Sequence, residues 1–356
     1  MGLPFLSQQA KRRDQIVAID LGGRTTKAVY LQRRGDKLNL AGFAVLDAPL
    51  YEKSFSLEIL AEHLKAVSRT LCNGKARHVT LALGVNDTLF RQVELPLMAT
   101  SELRLMLKYN SKNYLQQDLP DHVFDCYYVP SSPNSKALDG AKSGAGGQKQ
   151  KAMVGGARKQ TIDQLQEATK AAGLIPHQIF PGIIGPTNAF EMAEPEIFAK
   201  EVAALIDIGF KNSTITILDA GEIILNRVVG IGGDRLTSGL AEAMNISYVE
   251  AENIKVGMPA EVQQNLEPLI NPLGRELRAS IDFFENQHDK TLTQVFVSGG
   301  SARSSFILAA LQNELMVPCK IWNPTGFLAI EPQKLGEVEQ VSPQLTVAIG
   351  AATAAI

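Results

Sequence analysis

The chain has 356 residues, which is long enough for two or more domains with substantial cores. Hydrophobic residues make up 45% of it and charged residues 20%, as in soluble globular proteins. The net charge of −2 gives no basic excess for nucleic acid, and three scattered cysteines predict neither a disulfide framework nor a zinc site. Because no apolar stretch is long enough for a signal peptide or a membrane span, the composition predicts a soluble protein of a reducing cytoplasm.

The first part of the chain predicts three strands, a helix and a further strand after a loose N-terminal arm. Apolar residues recur at helical spacing through the helix, and Cys72-Asn73-Gly74 ends it. Arg34-Gly35-Asp36 marks the turn between the second and third strands. The predicted arm covers residues 1–14, the strands cover 16–19, 26–31, 38–45 and 79–84, and the helix covers 57–71.

The last part of the chain repeats this order of elements. Gly232-Gly233-Asp234 opens the first helix after the three strands, with Asp234 as a candidate N-cap. A repeated unit of this kind predicts two structurally related halves. The predicted strands are 202–208, 214–218, 223–229 and 294–297, and the predicted helices are 232–244, 248–256, 266–285 and 303–315.

A segment between the halves does not repeat. Its pattern predicts a small β-α-β-β-α insertion. Residues 131–150 are nearly free of large apolar side chains, so they predict a disordered loop within it. The predicted strands are 91–96, 125–129 and 152–155, and the predicted helices are 101–115 and 161–172.

A short hairpin occurs once in each half. Ile19-Asp20-Leu21-Gly22 and Ile206-Asp207-Ile208-Gly209 each end an apolar run and lead through polar turn residues into a second strand. Glycine lets the backbone approach a ligand, turn N–H groups can hold phosphate oxygens, and two facing aspartates can hold Mg²⁺ through water. Together with the turn Ser298-Gly299-Gly300-Ser301, the pattern predicts a nucleotide cleft between the halves. Asp20 and Asp207 are the catalytic and metal-binding candidates. For either hairpin alone, an ordinary tight turn is the alternative.

These motifs, in this order, resemble the PilM family of type IV pilus assembly and, more distantly, the cell-division protein FtsA. The resemblance runs from Ile16 to about Ala352. Besides the hairpins and the Ser-Gly-Gly-Ser turn, it rests on four further segments. They are Gly-Gly-Asp-Arg-Leu-Thr at 232–237, Ala-Glu-Asn-Ile-Lys at 251–255, Arg-x-x-x-Leu-Pro at 91–96, and an Ala-Gly-Leu-x-Pro turn at 172–176.

The resemblance implies an α/β, actin/Hsp70-like (ribonuclease H-like) two-lobed fold with an inserted PilM/FtsA-type 1C subdomain. Lobe 1 (1A) would comprise residues 15–85, 179–200 and 335–356. Residues 86–178 would form 1C, residues 201–245 and 290–334 would form lobe 2 (2A), and residues 246–289 would form subdomain 2B.

The resemblance also implies that the cofactors are ATP and Mg²⁺. In actin-like ATPases a residue at the position of Lys27 reaches the β- or γ-phosphate, whereas the alternative is a side chain that merely points outward from its strand. Glu252 and Lys255 would bracket the adenosine, with a surface i,i+3 ion pair as the alternative. The implied nucleotide contacts are Gly22, Gly23, Arg24, Thr25, Thr26, Lys27, Gly209, Lys211, Asn212, Ser213, Gly232, Gly233, Asp234, Glu252, Lys255, Gly299, Gly300 and Ser301.

Two departures from the actin-like pattern bear on hydrolysis. Gly23 stands where many actin-like ATPases have a small hydroxyl residue, which removes one contact to phosphate. Gly185, in Ile184-Gly185-Pro186-Thr187, occupies the position of an Hsp70-type glutamate that helps to place Mg²⁺ and the attacking water. The sequence therefore predicts nucleotide binding with slow or absent hydrolysis.

The resemblance further implies a cytoplasmic scaffold at the inner face of the inner membrane. Its partner would be the cytoplasmic N-terminal tail of a PilN-like bitopic membrane protein, with other pilus assembly components and self-association as further expectations. The edge strand 91–95 and a helix bearing Leu103, Met106, Leu107 and Tyr114 predict an apolar groove for this tail. The alternative is that these side chains close the insertion's own core.

Three other functions share the fold. A small-molecule kinase would need a catalytic acid near the γ-phosphate, and no such residue stands out in the sequence. An FtsA-like division protein would carry an amphipathic membrane-targeting tail, and no basic amphipathic segment follows Ala352. The cytoplasmic half of a type II secretion GspL protein would continue into a transmembrane helix.

Overall fold

The computed structural model describes residues 13–49, 56–129, 149–257 and 261–356. The predicted arm at 1–14 and the predicted loop at 131–150 therefore lie almost wholly outside the described residues. Lys149 and Gln150 are described and lie in a strand, so the loop prediction is wrong for these two residues. Within the described ranges, no helix is long and apolar enough to cross a membrane.

The elements before residue 201 follow the predicted order, with most ends shifted by one to three residues. The strand at 175–181 and the helices at 185–193 and 195–200 have no counterpart among the predicted elements. In chain order they are β1 (Gln15–Leu21), β2 (Thr25–Arg34), β3 (Lys37–Asp47), α1 (Leu57–Cys72), β4 (His78–Leu83), β5 (Thr88–Pro96), α2 (Thr100–Leu115), β6 (His122–Tyr128), β7 (Lys149–Arg158), α3 (Lys159–Ala171), β8 (Ile175–Pro181), α4 (Gly185–Ala193) and α5 (Pro195–Lys200).

The elements after residue 201 also follow the predicted order. A short strand at 319–321 and a short helix at 335–341 are absent from the predictions, whereas the helix at 346–355 lies in the apolar tail 345–356, whose small residues predict a packed helix. The elements are β9 (Val202–Ile208), β10 (Ser213–Asp219), β11 (Glu222–Val229), α6 (Gly233–Met244), α7 (Tyr248–Gly257), α8 (Gln263–His288), β12 (Gln294–Ser298), α9 (Ser305–Leu315), β13 (Cys319–Ile321), α10 (Leu335–Val341) and α11 (Thr346–Ala355).

Two five-stranded sheets have the same topology. Their strand orders are β3-β2-β1-β4-β8 and β11-β10-β9-β12-β13, so each has an antiparallel hairpin pair beside parallel strands. We call the first sheet with its helices lobe 1 and the second lobe 2. The matching order confirms the internal repeat, and the fold is the actin/Hsp70-like α/β fold that the sequence predicts.

The middle strand of lobe 1 shows why the sequence forms this sheet. Residues 16–19 of β1 are all fully buried, because helices cover both faces of the sheet. Ile16 and Ala18 pack in one core cluster with α11, whereas Val17 and Ile19 pack in another with α1. A continuous apolar run, rather than an alternating one, is the pattern expected of such a strand.

The insertion forms a separate three-stranded sheet in the order β5-β7-β6, with α2 packed on it. Leu103 and Leu107 of α2 are buried in its core, and Met106 and Tyr114 pack against that core. The prediction of a docking groove is wrong for Leu103 and Leu107, which close the insertion's own core, because a three-stranded sheet needs an apolar helix face to cover it. For the partly buried Met106 and Tyr114 it stays a prediction.

The chain passes from lobe 1 to lobe 2 through α4, and α4 packs in close contact against α11, the last helix. A Cβ atom placed on Gly350 of α11 would lie 1.9 Å from the carbonyl oxygen of Gly185. A Cβ atom on Gly185 would lie 2.8 Å from Cα of Val347. The two backbones touch here, which only glycine permits.

Candidate functional site

The two repeated hairpins meet at the cleft between the lobes. Asp20, near the end of β1, and Asp207, near the end of β9, line one cavity of 260 Å³. An adjoining cavity of 360 Å³ also has Asp20, Lys27 and Asp207 in its wall. The structure therefore brings together the two aspartates that the sequence predicts as a pair.

Most of the other predicted contacts line one or both cavities. The smaller cavity is lined by Gly22, Gly23, Thr26, Lys27, Gly209, Lys211 and Asn212. The larger cavity is lined by Arg24, Thr25, Lys27, Gly209, Gly233, Glu252, Lys255, Gly299, Gly300 and Ser301. Three predicted contacts, Ser213, Gly232 and Asp234, line neither cavity.

In the first hairpin, Asp20 forms an ion pair within its own lobe. Lys27 lies opposite Asp20 in the β1–β2 register, and its Nζ is 3.5 Å from Asp20 Oδ2. Burial raises the pKa of the Asp20 carboxyl, and the positive charge of Lys27 offsets part of this effect. A Cβ atom on Gly22 would lie 2.7 Å from Lys27 Nζ, so a glycine at this turn leaves room for the lysine to lie across it.

In the second hairpin, Asp207 has no lysine opposite it. Its register partner in β10 is Thr214, and its neighbour in the parallel strand β12 is Ser298. Ser298 Oγ donates a hydrogen bond to Asp207 Oδ1 at 2.9 Å. Burial raises the pKa of Asp207 to about 6, although the Ser298 hydrogen bond and the charge of Lys27 act in the opposite direction.

The backbone N–H groups at the start of α6 bind the second hairpin. The N–H groups of Gly233 and Asp234 donate to the carbonyl oxygens of Gly209 and Phe210, each at 2.9 Å. The N-cap is Gly232, so the prediction that Asp234 caps the helix is wrong. A Cβ atom on Gly232 would lie 2.4 Å from the Phe210 carbonyl oxygen, which explains the need for glycine there.

Two predicted polar contacts have partners elsewhere. The buried hydroxyl of Ser213 donates to the Ile231 carbonyl oxygen at 2.7 Å. The Asp234 carboxylate accepts hydrogen bonds from Lys211 and from the Tyr248 hydroxyl. These bonds explain why neither side chain reaches the cavity wall.

Glu252 and Lys255 form an ion pair in the wall of the larger cavity, in which Lys255 is buried and Glu252 is partly exposed. Lys255 is only 1% exposed, and its Nζ lies 2.8 Å from both Glu252 Oε2 and Thr237 Oγ1. The alternative of a surface ion pair is therefore excluded. Burial lowers the pKa of Lys255, although Glu252 opposes this effect. Burial also favours neutral Glu252, but Lys255, Thr237 and Arg24 outweigh it and lower the pKa of Glu252.

The third glycine turn packs directly on β9. Gly299 has a φ of +93°, and a Cβ atom on it would lie 2.4 Å from the Ile208 carbonyl oxygen. A residue with a side chain would be strained in this conformation and would also displace the strand. Gly300 and Ser301 continue from this turn along the wall of the larger cavity.

Sequence reasoning missed the turn that follows β4. Asn86 and Asp87 line the smaller cavity beside Asp20, because the carboxyl end of β4 lies next to that of the parallel strand β1. Burial raises the pKa of Asp87, and the charge of Arg158 opposes this effect. The detectable signal is a polar pair directly after an apolar strand at the same edge of the sheet.

The absence of an acid at position 185 has a physical cause. Gly185 is buried against Val347 and Gly350 of α11, where a Cβ atom would already collide with backbone. A glutamate therefore does not fit without separating α4 from α11.

A third cavity, of 440 Å³, lies between the insertion and lobe 1 and is separate from the cleft. We call it the insertion groove. One wall comes from strands β6 and β7, including Val123 and Gly156, and the other from α3 and β8, including Ile162 and Ile179. β6 is an edge strand that pairs only with β7 among the described residues, so its other edge is open to a further strand.

Comparison with known proteins supports the resemblance drawn from the sequence. A solved structure described as the PilM-PilN type IV pilus biogenesis complex matches with a TM-score of 0.81 and 22% identity, over 96% of this chain and 98% of that one. The ethanolamine utilization protein EutJ from Carboxydothermus hydrogenoformans matches with a TM-score of 0.57 and 14% identity, over 97% and 91% of the two chains.

A more distant match extends to the bacterial actins. MreB5 of Spiroplasma citri bound to ADP matches with a TM-score of 0.50 and 11% identity, over 88% of this chain and 92% of that one. These structural matches share the actin-like fold. The family model of the type IV pilus assembly protein PilM matches residues 18–355. The chain therefore belongs to the PilM family of type IV pilus assembly proteins.

Proposed function

We propose that this chain is a nucleotide-binding scaffold of a type IV pilus assembly machine. The observation that carries the nucleotide proposal is the pair of buried carboxylates, Asp20 and Asp207, from equivalent hairpins on the two sides of one cavity. MreB5 structures that share the fold hold ADP and AMPPNP, which supports a nucleotide in the corresponding cleft.

The donor set fits Mg²⁺ and phosphate. Carboxylate oxygens are the ligands that Mg²⁺ prefers, and the raised pKa of Asp207 reflects a buried charge that a nearby cation would stabilise. Asp20 and Asp207 would hold the ion through water, and Lys27 would contact phosphate. Mg²⁺ supplies charge neutralisation for the phosphates. Gly299, Gly300 and Ser301 would lie along the adenosine.

Hydrolysis is slow or absent in this proposal. Position 185 offers no carboxylate to orient water, and the contact with α11 leaves no room for one. Asp87 is the remaining acid on the lobe 1 wall of the smaller cavity. Phosphate release faster than about one per minute by wild type, and lost in Asp20→Ala, would contradict slow hydrolysis.

A thermal-shift titration with MgATP tests the nucleotide proposal. Ligand at a hundredfold excess over Kd should stabilise the folded chain by about 2.7 kcal/mol. Asp207→Asn should remove the shift, whereas Asp219→Asn should keep it. Asp219 is the matched control because it lies at the end of β10 and pairs with Lys290, outside both cavities. An unchanged melting temperature of the wild type with MgATP would overturn the proposal.

The insertion groove is the proposed dock for the cytoplasmic N-terminal tail of a PilN-like bitopic inner-membrane protein. The PilM–PilN complex is a structure of such a pair, which supports this class of partner. The groove combines an open strand edge on β6 with apolar side chains, so an extended peptide can gain main-chain hydrogen bonds and side-chain pockets. Docking would hold the chain at the inner face of the inner membrane. Contacts with other assembly components and self-association remain predictions.

Binding of a labelled synthetic peptide, taken from the N-terminus of the PilN-like protein encoded by the same organism, tests the dock. Val123→Glu should weaken binding by about tenfold or more, because Val123 lines the groove and is 41% exposed. Leu105→Glu is the matched control, since Leu105 is 56% exposed on α2 and lies outside the groove. Equal losses in the two variants, or none in Val123→Glu, would place the dock elsewhere.

A further inference from the structure

Arg24 belongs to lobe 1 in sequence, but its side chain is bonded to lobe 2. It lies in the turn between β1 and β2, directly before β2 begins. Its Nη1 donates to the Tyr248 hydroxyl at 3.0 Å and lies 3.5 Å from Glu252 Oε2. Both partners are on α7.

Two aromatic rings of lobe 2 flank the same guanidinium. Arg24 Cζ lies 5.1 Å from the centre of the Tyr248 ring and 5.9 Å from that of Phe210. These distances are within the range of cation–π attraction. Arg24 thus spans the cleft from the first hairpin to α7 and to the second hairpin.

The lobe 2 partners are themselves fixed in place. The Tyr248 hydroxyl donates to Asp234 Oδ1 at 3.0 Å, and Asp234 also binds Lys211. Glu252 is shared with the buried Lys255. Loss of the Arg24 contacts would therefore alter the hydrogen bonding of α7 and of the start of α6.

The guanidinium is also within the proposed nucleotide site. Its side chain is 36% exposed and lines the larger cavity together with Lys255 and Gly300. Glu252 is a weak competitor for it, because one carboxylate oxygen already accepts bonds from Lys255 and Thr237. The phosphates of a nucleotide carry more charge and offer oxygens that a guanidinium binds in pairs.

We propose that Arg24 is a positioning residue that joins the lobes in the nucleotide-free chain and transfers to phosphate when a nucleotide enters. The inference rests on the proposed nucleotide binding. Its consequence is a competition, since the contact with Tyr248 must be broken before Arg24 can bind phosphate. Nucleotide entry would then release Glu252 and Tyr248 from lobe 1.

Nucleotide affinities of four proteins test this competition: wild type, Tyr248→Phe, Arg24→Ala and the double variant. Tyr248→Phe keeps the ring and removes the hydroxyl that Arg24 binds. It should tighten MgADP binding by about three- to tenfold, the equivalent of one hydrogen bond. In the Arg24→Ala background the same change should have no effect. Tyr109→Phe, an exposed tyrosine on α2, is the matched control and should behave as wild type.

Adenosine, used as a competitor of the labelled nucleotide, separates this role from a general loosening of the cleft. Because adenosine has no phosphate, Tyr248→Phe should leave its affinity unchanged. Unchanged or weaker MgADP binding by Tyr248→Phe, or an equal gain for adenosine, would overturn the inference while nucleotide binding stands. A wild type that binds neither MgADP nor MgATP would overturn the proposed function itself.

Discussion

The two hairpins at the cleft occupy equivalent places in the two sheets, but their aspartates have different partners. Asp20 faces Lys27 across β1 and β2, whereas Asp207 faces Thr214 across β9 and β10. Burial raises the pKa of both carboxyls, that of Asp207 to about 6, and the charge of Lys27 opposes this effect at both. Only Asp20 forms an ion pair with Lys27, whereas the direct partner of Asp207 is the Ser298 hydroxyl. The two copies of one turn therefore differ in how their carboxylate is compensated, and we expect Asp207 to gain more from a bound cation.

The largest expected effect is the loss of nucleotide binding when the Asp207 carboxylate is replaced by a neutral amide. Asp207→Asn should weaken magnesium-dependent nucleotide binding by about a hundredfold or more, since a neutral amide does not neutralise the ion. In the absence of ligand the same change should stabilise the fold by about 2 kcal/mol at pH 7, because a buried carboxylate no longer has to ionise. Calorimetric titration and denaturant unfolding measure the two effects. A destabilised variant would mean that Ser298 and the charge of Lys27 together outweigh the cost of burying the ionised Asp207 carboxylate.

In the first hairpin, where Lys27 pairs with Asp20, removal of a charge should destabilise the ligand-free fold rather than stabilise it. Lys27→Met should destabilise the ligand-free fold by about 2 kcal/mol at pH 7, because it leaves the buried Asp20 carboxylate without its counter-charge. Urea unfolding at pH 7 measures this loss of stability, with Lys65→Met as the control, since Lys65 pairs with an exposed glutamate on α1. Equal stability of the two variants would show that Asp20 does not depend on Lys27.

The pH dependence of stability should differ in the same way. A carboxyl whose pKa is higher in the folded chain than in the unfolded chain makes the fold bind more protons, so stability falls as pH rises between the two values. For Asp207 that window runs from 3.8 to about 6. The wild type should therefore lose about 1–2 kcal/mol relative to Asp207→Asn between pH 4 and pH 7. Parallel stability curves for the two proteins would contradict the raised pKa.

The smallest expected effect concerns Ser298. Ser298→Ala removes the hydrogen bond to Asp207 and should raise the pKa of that carboxyl further. The pH midpoint for MgADP binding should move upward by about half a unit, with a loss of affinity of about threefold at pH 5 and little change at pH 7. Ser342→Ala, a buried serine outside both cavities, is the control. A downward shift of the midpoint would show that Ser298 does not favour the ionised form.

Local sequence patterns were sufficient to predict the repeated fold and the pairing of Asp20 with Asp207. A glycine turn after an apolar strand is a local signal, and its repetition specifies the symmetry of the two lobes. The patterns failed where a neighbour distant in sequence decides the outcome. Ser213 and Asp234 belong to the predicted motifs, yet partners at 231, 211 and 248 turn them away from the cavities.

The other failures have the same origin. The strand β8 has proline as its second and its last residue, and its apolar and polar residues do not alternate. It forms because β4 offers it a parallel edge. The spacing of Leu103 and Leu107 fits a docking face and also fits a core. The position of the insertion's sheet, which the sequence does not give, places them in the core. Asp87 was missed because its proximity to Asp20 depends on the parallel pairing of β4 with β1.

The contact between α4 and α11 determines how the lobes can move. The chain leaves lobe 1 through α4, and the backbones of Gly185 and Gly350 leave no space between α4 and α11. Phe190 of α4 and Ile349 of α11 share one buried core cluster, and Asn188 Nδ2 donates to the Gly350 carbonyl oxygen at 3.4 Å, so separation of the helices would expose buried backbone and apolar side chains. We therefore expect the two helices to stay together when the cleft opens, with the largest displacements far from this contact. Gly350→Ala would place a Cβ atom 1.9 Å from the Gly185 carbonyl oxygen and force α4 and α11 apart, so this single methyl group should change the distance between the two lobes across the cleft.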